Sequence, residues 1–377
     1  MVRIAFFAPL LSTGGTQRHL QQVLALLDRG RFEAFVYTLR PGGEVEDELR
    51  ANGVAVRSLS IGRTLSSPRS VRAILSTARA LRRARVDIVH GYQWRPALVG
   101  AIVGRLAGVP LRLASKRSLT GDDRQAKGAW RRIARQVDTV IVNADALRVE
   151  GERLGMRCRW TLLQNGVDTE HFAVPPAGAA SRAAIGLDAG RPVVGTVGRL
   201  EDRKGHDQFL LAMQTLSATG NGTRPHGLIV GDGPLRAALE TQARTLGLAS
   251  GVRFTGTVAD VRPLLAAMDV FVLPSWAEGM SNALMEAMAA ARPVVATAVG
   301  GNTEVVEDGT TGVLVPPGDA DAIARAVGDL LRDPARAARL GSAARDDVTR
   351  RFGARARVAE LEGLYADRLA LRARRAA

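Results

Sequence analysis

The chain has 377 residues, of which 46% are hydrophobic and only 4% aromatic, and its formal net charge is +15. This composition predicts a globular protein of two domains with aliphatic cores and excludes a disordered chain. The single cysteine, Cys158, excludes an internal disulfide and a metal site built from several cysteines. No apolar run reaches the roughly 18 residues that a transmembrane helix needs. The short apolar N-terminus indicates a first strand rather than a signal peptide, so we expect a cytoplasmic protein.

The positive charge is concentrated in the first half of the chain. Residues 1–173 hold 28 Lys and Arg against 15 Asp and Glu, a net charge of +13, whereas residues 174–377 carry +2. This asymmetry indicates an anionic partner for the first half, unless the arginines are simply spread over a solvated surface. Nucleic acid, an acidic lipid surface and a phosphorylated substrate all fit at this stage.

Short apolar strands alternate with helical segments along the first half. We predict strands at 4–8, 35–39, 54–58, 86–90, 111–115 and 139–142, and helices at 18–27, 71–85 and 96–107. A stretch rich in Pro, Gly and Ala at 173–191 is the expected linker.

The same alternation resumes after the linker. We predict strands at 193–197, 227–230, 253–255, 270–274 and 293–296, and helices at 206–216, 234–246, 281–290, 320–331 and 335–374. Strands and helices in this order predict an α/β fold, with a parallel sheet covered by helices in each half.

Ligands of open parallel sheets bind at the carboxyl ends of the strands, so the residues that follow strands carry the most information. Gly15 follows the first strand and allows backbone amides to approach a phosphate, or it forms an ordinary turn. Arg199 and Lys204 share one strand-to-helix loop, and both suit a diphosphate unless they are a solvated pair balanced by neighbouring acids. Gly233 offers a backbone edge to a base, or belongs to a simple helix start.

The segment 274–289 is the most informative. Gly279, Met280 and Ser281 form a turn before a helix, with Ser281 as its N-cap, and amides there can hold a phosphate without a metal. Glu278 precedes the helix and Glu286 lies about one turn into it. Each carboxylate can accept two hydroxyl hydrogen bonds from a ribose or sugar diol. An exposed helix glutamate is the alternative for Glu286, although its neighbours are apolar and an unpaired buried acid is costly.

Further polar residues follow strands of the first half. His90 ends a strand, where it either orients an acceptor and stabilises charge or fills the core. Arg117 ends another strand and suits an anionic acceptor. Residues 165–168 have the composition of a turn.

Taken in order, these segments resemble the family 4 glycosyltransferases. The resemblance covers nearly the whole chain and is most specific from Glu278 to Glu286; its other parts are 14–15, 165–168, 198–205, 231–234, 300–304 and 308–319. It implies the GT-B fold, with two Rossmann-like domains facing across a cleft. The implied parts are an acceptor-binding domain at 1–173, a nucleotide-sugar-binding domain at 192–352, and a C-terminal helix at 353–377 that packs back towards the first domain.

The resemblance also implies roles for individual residues. Glu286 should hold the donor ribose and Glu278 the transferred sugar, while Arg199 and Lys204 neutralise the diphosphate and backbone near Gly15 and at 279–281 adds phosphate contacts. Many relatives have a His-x-His pair where this chain has His90-Gly91-Tyr92. Tyr92 therefore takes the second position, and either His90 or Tyr92 faces the transferred sugar.

We therefore expect a retaining glycosyltransferase that needs neither a metal nor a cofactor beyond its co-substrate, a UDP- or GDP-sugar. The acceptor is a glycan or a lipid-linked molecule of cell-surface polysaccharide or glycolipid synthesis. The alternatives are a sugar-nucleotide epimerase of the same architecture and a basic nucleic-acid-binding protein, although no nucleic-acid motif is evident. A basic amphipathic helix also predicts peripheral docking on the inner face of an anionic membrane, unless it is a solvated face; its arginines are Arg72, Arg79, Arg82, Arg83 and Arg85.

Overall fold

A computed structural model describes residues 1–12, 14–62, 64–121, 123–174, 182–183, 185–188, 190–218 and 224–376, with side chains to 374. The chain divides into two compact units. Unit 1 comprises Met1–Gly166 and Ala354–Ala377, and unit 2 comprises Val167–Gly353. Much of the expected linker, at 175–181, 184 and 189, lies outside the described residues.

Unit 1 is built on a parallel sheet of seven described strands in the order β3-β2-β1-β4-β5-β6-β7. Its strands are β1 (Val2–Ala8), β2 (Phe32–Thr38), β3 (Ala55–Ser58), β4 (Ile88–Tyr92), β5 (Leu111–Lys116), β6 (Thr139–Val142) and β7 (Trp160–Leu162). Its helices are α1 (Gly15–Leu26), α2 (Glu44–Ala51), α3 (Pro68–Arg83), α4 (Trp94–Ala107), α5 (Arg124–Ala134), α6 (Asp145–Arg153) and the C-terminal α14 (Ala354–Ala376).

Unit 2 has a parallel sheet of six described strands in the order β10-β9-β8-β11-β12-β13. Its strands are β8 (Val193–Val197), β9 (His226–Val230), β10 (Val252–Phe254), β11 (Val270–Leu273), β12 (Val294–Thr297) and β13 (Val313–Val315). Its helices are α7 (His206–Ala218), α8 (Arg236–Thr245), α9 (Arg262–Ala267), α10 (Asn282–Ala289), α11 (Asn302–Val305), α12 (Ala320–Arg332) and α13 (Pro334–Phe352), with a 3₁₀ turn at Asp202–Lys204.

The central strands are apolar because helices cover both faces of each sheet. Every residue of β4 and of β11 is buried, as expected for parallel strands with no solvent-facing side. Helix α3 shows how the covering helices are specified. Ser67 caps it, Pro68 occupies its first turn, and Ile74, Ala78 and Leu81 bury one face while the arginines stay on the other.

Both sheets reverse their strand order at a switch point, β1/β4 in unit 1 and β8/β11 in unit 2. Such a switch point opens a crevice at the carboxyl ends of the strands, where α/β proteins bind ligands. The predicted α/β fold with two parallel-sheet, Rossmann-like domains is confirmed. No helix in the described part of the chain is long and apolar enough to cross a bilayer.

The predicted helical tail at 335–374 is wrong in one respect, because it is broken at Gly353. The backbone there is extended, and Gly353 pairs with Val167 in a parallel bridge. The Val167 amide donates to the carbonyl of Phe352 over 2.8 Å. This break separates α13 of unit 2 from α14 of unit 1.

Candidate functional site

In unit 2, glycines allow the loops after β8, β9 and β11 to touch. A Cβ on Gly205, whose φ is +63°, would lie 2.0 Å from the carbonyl oxygen of Pro274. A Cβ on Gly231, whose φ is +136°, would lie 2.0 Å from the carbonyl oxygen of Gly198. Only glycine permits this approach together with this backbone conformation. The contacts hold the 3₁₀ turn after β8 beside the loop after β11.

The buried carboxylate of Glu278 is the centre of this arrangement. Its Oε1 accepts hydrogen bonds from Lys204 Nζ over 2.5 Å and from Ser275 Oγ over 2.8 Å. A guanidinium nitrogen of Arg203 lies 3.7 Å from Oε2. The structure thus brings the two predicted residues Glu278 and Lys204 into contact. Cationic nitrogens therefore lie on both sides of this carboxylate, near where an anionic ligand would bind.

Residues of β12 and α11 hold the backbone that carries Glu278 in place. The carbonyl of Ser275 accepts a hydrogen bond of 2.6 Å from Thr297 Oγ1, and Asn302 Nδ2 donates to the Thr297 carbonyl over 3.0 Å. Gly300, at φ +49°, leaves room for the Glu278 carbonyl, which would be 1.9 Å from a Cβ there. The loop is therefore rigid, as a preorganised site requires.

Arg199 lies apart from Glu278 in the contacts of the described residues. It is 61% exposed, and its Nε is 3.5 Å from Glu201 Oε2. Arg203, which the sequence reasoning missed, lies between these acids, with a nitrogen 2.5 Å from Glu201 Oε1. The sequence feature that could have identified Arg203 is its position next to Lys204 in the same basic loop. His206 Nε2 faces the Arg199 carbonyl at 3.2 Å, and burial lowers the pKa of His206 to about 4.

The turn before α10 forms as predicted. Ser281 is the N-cap, and its Oγ accepts from the Leu284 amide over 3.3 Å. Met280 and Ser281 are buried, and Glu286 is half-buried one turn into the helix. The Gly279 carbonyl accepts from the Gly301 amide over 2.7 Å, which ties the turn to α11.

Gly233 packs tightly against the loop after β8. A Cβ there would lie 2.4 Å from the Leu200 carbonyl oxygen. Its amide donates to Oδ1 of Asp232 over 2.7 Å. The backbone N–H that was predicted to face a base is therefore hydrogen-bonded to the preceding residue.

In unit 1, His90 lies inside a buried hydrogen-bond network at the end of β4. Its Nδ1 is 2.7 Å from the Tyr365 hydroxyl, and its Nε2 is 2.8 Å from Ser115 Oγ. Burial lowers the pKa of His90 to about 3, so the ring is neutral. Both ring nitrogens are engaged within unit 1, one of them by a residue of the C-terminal helix α14. Gly15, a further predicted residue of this unit, begins α1.

Arg117 and Tyr92, both predicted to bind the acceptor, are neighbours in unit 1. The guanidinium carbon of Arg117 lies 5.8 Å from the centroid of the Tyr92 ring. Arg117 also donates to Asn165 Oδ1, which receives a second hydrogen bond of 3.0 Å from Asn143 Nδ2. Asn165, predicted as part of a turn, is buried and binds these side chains.

No group of three or more His, Cys, Asp or Glu side chains in the described ranges is arranged to hold a metal ion. The charged atoms around Glu278 are instead the nitrogens of Lys204 and Arg203.

Comparisons with known proteins match both halves of the chain to glycosyltransferases. Residues 13–171 match Glycosyltransferase Family 4, and residues 191–333 match Glycosyl transferases group 1. The 2-deoxystreptamine N-acetyl-D-glucosaminyltransferase of Streptomyces fradiae is 34% identical over 75% of this chain and 72% of that protein. The UDP-Gal:alpha-D-GlcNAc-diphosphoundecaprenol alpha-1,3-galactosyltransferase of Escherichia coli is 27% identical over 95% of each.

Solved structures share the fold. The crystal structure of Anabaena Alr3699/HepE in complex with UDP and glucose superposes with a TM-score of 0.87 at 23% identity, covering 97% of this chain and all of that one. WaaG, a glycosyltransferase involved in lipopolysaccharide biosynthesis, superposes with a TM-score of 0.74 at 17% identity, covering 96% and 99%. At these identities the likeness concerns the fold, which is that of the GT-B structures.

Proposed function

Because this chain belongs to the family 4 glycosyltransferases, and is therefore an enzyme with a nucleotide-sugar donor, we propose that it transfers the sugar with retention and without a metal. The acceptor is a glycan or a lipid-linked molecule of cell-surface polysaccharide or glycolipid synthesis. One observation carries this proposal: Lys204 and Arg203 converge on the buried Glu278 at the switch point of unit 2.

The domain predicted at 192–352, which lies within unit 2, binds the donor. Glu286 binds the ribose hydroxyls, and Glu278 binds hydroxyls of the transferred sugar. The amides of Gly279, Met280 and Ser281 and the start of α10 bind the diphosphate, as helix N-termini bind anions. Gly15 at the start of α1 contributes in the same way, and Gly233 lines the base. The base is uracil or guanine.

The protein's own cations replace a metal at the diphosphate. When the glycosidic bond breaks, negative charge develops on the leaving nucleotide diphosphate. Lys204, Arg203 and Arg199 stabilise that charge. Lys204 does so from a fixed position, and such preorganised electrostatic stabilisation accounts for most of the rate enhancement of many enzymes. Lys204 is held in place by its 2.5 Å contact with Glu278.

Retention follows from attack on the same face that the diphosphate leaves. The acceptor hydroxyl approaches from that face and transfers its proton to the departing phosphate. Glu278 is not a nucleophile in this scheme, because Lys204 and Ser275 both bind its Oε1 and Arg203 lies near its Oε2. It positions Lys204 and accepts hydrogen bonds instead.

Unit 1 binds the acceptor through Arg117 and Tyr92. The His90 ring packs beside the Tyr92 ring, with 4.6 Å between the ring centroids. The +13 charge of residues 1–173 supports peripheral docking on an anionic membrane. On α3 the exposed side chains of Val71 and Leu75 lie among exposed arginines, the pattern of an interfacial helix. Arg82 is the exception, because it donates to the carbonyl of Leu106 over 2.6 Å.

The donor is tested by offering a panel of UDP- and GDP-sugars with glycan and lipid-linked acceptors and measuring free nucleotide. We expect one donor to release nucleotide in the presence of EDTA, and the product to keep the anomeric configuration of the donor by NMR. An inverted product, or activity that EDTA abolishes, would contradict the mechanism. If an epimerised sugar nucleotide formed without acceptor, the protein would be a sugar-nucleotide epimerase and not a transferase.

Membrane docking is tested by sedimentation with acidic and neutral liposomes at low salt. Replacing Arg72, Arg79 and Arg83 with Gln should abolish binding to the acidic vesicles. The matched control replaces three exposed arginines of unit 2, Arg325, Arg336 and Arg339, and should bind as the parent does. If both variants lost vesicle binding equally, binding would depend on the net charge of the protein and not on α3.

A further inference from the structure

We propose that unit 1 contains a phosphoryl-binding subsite formed by Arg117, Tyr92 and His19, and therefore that the acceptor carries a phosphoryl group beside its sugar hydroxyls. The inference rests on the proposed function for the identity of the ligand as acceptor. The subsite itself rests only on the geometry of unit 1.

Arg117 is a buried cation without a paired acid. It is 8% exposed, and among the described residues no carboxylate lies within ion-pair distance of it. Its polar partner is the neutral Asn165, and its nearest ring is that of Tyr92. Burial lowers the pKa of Arg117 to about 10, so the group remains charged at neutral pH. A desolvated, unpaired charge is among the most costly features of a folded protein, and an arriving anion would relieve that cost.

Lys116, the preceding residue, is a buried cation with a structural role and differs from Arg117 in its partners. Lys116 is fully buried, and it forms an ion pair with Glu150 and donates to the Ser118 carbonyl over 2.9 Å. Lys116 and Arg117 end the same strand region, yet only Lys116 has an acid. The missing acid beside Arg117 is therefore a property of that position rather than of the strand end in general.

Three buried polar atoms near Arg117 lack a partner among the described residues: the Tyr92 hydroxyl, His19 Nδ1 and Asn143 Oδ1. These side chains are 1%, 7% and 2% exposed. Most buried polar groups are hydrogen-bonded, so three orphans in one place indicate a ligand. An ordered water would satisfy a hydroxyl, but it would not neutralise Arg117.

The side chains that carry the orphan atoms are neighbours, and Asn143 is joined to Arg117 through Asn165. The ring centroids of His19 and Tyr92 are 5.9 Å apart, and Arg117 lies 5.8 Å from the Tyr92 ring. Burial, the positive charge of Arg117 and the neighbouring His90 all lower the pKa of His19, so its imidazole is neutral with one N–H. All these residues lie at the carboxyl ends of β4, β5 and β6 or on α1, which follows β1.

The donor and acceptor types fit a phosphorylated sugar. The guanidinium fork of Arg117, the Tyr92 hydroxyl and an N–H of His19 supply donors from three elements, and a phosphoryl group presents three acceptor oxygens. Asn143 Oδ1 is an acceptor and suits a neighbouring sugar hydroxyl. Soluble sugar phosphates and phosphorylated lipid headgroups share this chemistry.

Calorimetric titration of the full chain with glucose 6-phosphate, glucose and glucuronate tests the subsite. We expect glucose 6-phosphate to bind, and Arg117→Gln to weaken that binding about tenfold to a hundredfold. Arg131→Gln removes the same charge from an exposed site and should bind as the parent does. Tyr92→Phe removes only the orphan hydroxyl, so the chain should fold and bind glucose 6-phosphate about tenfold more weakly. Tighter binding of glucuronate, or equal binding by the parent and Arg117→Gln, would overturn the inference.

Vesicles distinguish the two sources of the phosphoryl group. Binding to phosphatidylinositol vesicles that depends on Arg117, with no binding of glucose 6-phosphate, assigns a lipid headgroup. Binding of glucose 6-phosphate assigns a soluble or glycan phosphate. Absence of Arg117-dependent binding in both arms overturns the subsite.

The donor assay separates this inference from the proposed function. Nucleotide release with no Arg117-dependent phosphate binding refutes only the subsite. Arg117-dependent phosphate binding without nucleotide release from any donor refutes only the proposed transfer. Nucleotide affinity of Arg117→Gln equal to that of the parent shows that the variant is folded.

Discussion

Replacing Lys204 with Ala separates its proposed catalytic role from its structural one. The lysine side chain is 13% exposed and contacts the buried Glu278 at 2.5 Å. Its removal leaves an acid that retains Ser275 Oγ and, at 3.7 Å, Arg203. Breaking a buried pair costs about 3–5 kcal/mol, and the nearby Arg203 places this loss at the low end, about 3 kcal/mol. Loss of one preorganised group at the leaving diphosphate should lower kcat roughly a hundredfold to a thousandfold.

A second substitution distinguishes the two effects. Glu278→Gln in the Lys204→Ala background removes the unpaired charge, so urea unfolding should show part of the lost stability restored while kcat stays low. The assay is nucleotide release at saturating donor, on protein shown to be folded at the assay temperature. Arg244→Ala, an exposed arginine that donates to Thr241, is the control and should change neither quantity. Near-normal kcat in Lys204→Ala would refute its assigned role.

Two further predictions concern stability. Gly205→Ala should destabilise unit 2 by more than about 2 kcal/mol in urea unfolding, because its Cβ would collide with the Pro274 carbonyl in addition to the φ penalty. Gly247→Ala, at φ +72° with open space around it, should cost only about 1 kcal/mol, and equal costs would contradict the collision. Stability should also fall as pH drops below 6.5, because unfolded histidines bind protons there whereas folded His90 (pKa about 3) and His206 (pKa about 4) do not. Each contributes roughly 2 kcal/mol between pH 7.5 and 5.0; His206→Asn should remove its share, and an unchanged unfolding midpoint would contradict the burial argument.

The strand and helix pattern could be predicted because it depends on local periodicity. Strands such as Thr139–Val142 and Val193–Val197 have the predicted bounds. Helix α2 was missed because its eight residues are mostly charged, and only Val45, Glu46 and Leu49 are buried. The periodic pattern did not predict the break at Gly353, because that break depends on pairing with Val167, far away in the sequence. Only the family resemblance implied a boundary at 353.

The polar cluster of unit 2 could be anticipated in part for the same reason. Lys204 and Glu278 each follow a strand, and the strands β8 and β11 are neighbours, so a parallel sheet places them together. Arg203 was overlooked because adjacent basic residues on a loop are usually solvated.

The polar cluster of unit 1 was less predictable. His90 contacts Tyr365, which is 275 residues away in the chain, and Arg117 contacts Asn165 across 48 residues. Such contacts depend on the tertiary packing of α14 and of the segment after β7, and no local sequence pattern predicts them. The orphan atoms of His19 and Asn143 are likewise visible only once burial is known.

The division of unit 1 into two stretches of sequence has a consequence for its biosynthesis. Its core includes Val358, Leu361 and Tyr365, which pack among residues of the first half of the chain. The ribosome makes these residues after the whole of unit 2, whereas domains usually fold as units while the chain emerges. Unit 2 can therefore fold during translation, but the apolar core of unit 1 stays incomplete until α14 has been made. His90 acquires its Tyr365 partner only at that moment, so the buried hydrogen-bond network at the end of β4 is completed only when α14 packs on unit 1.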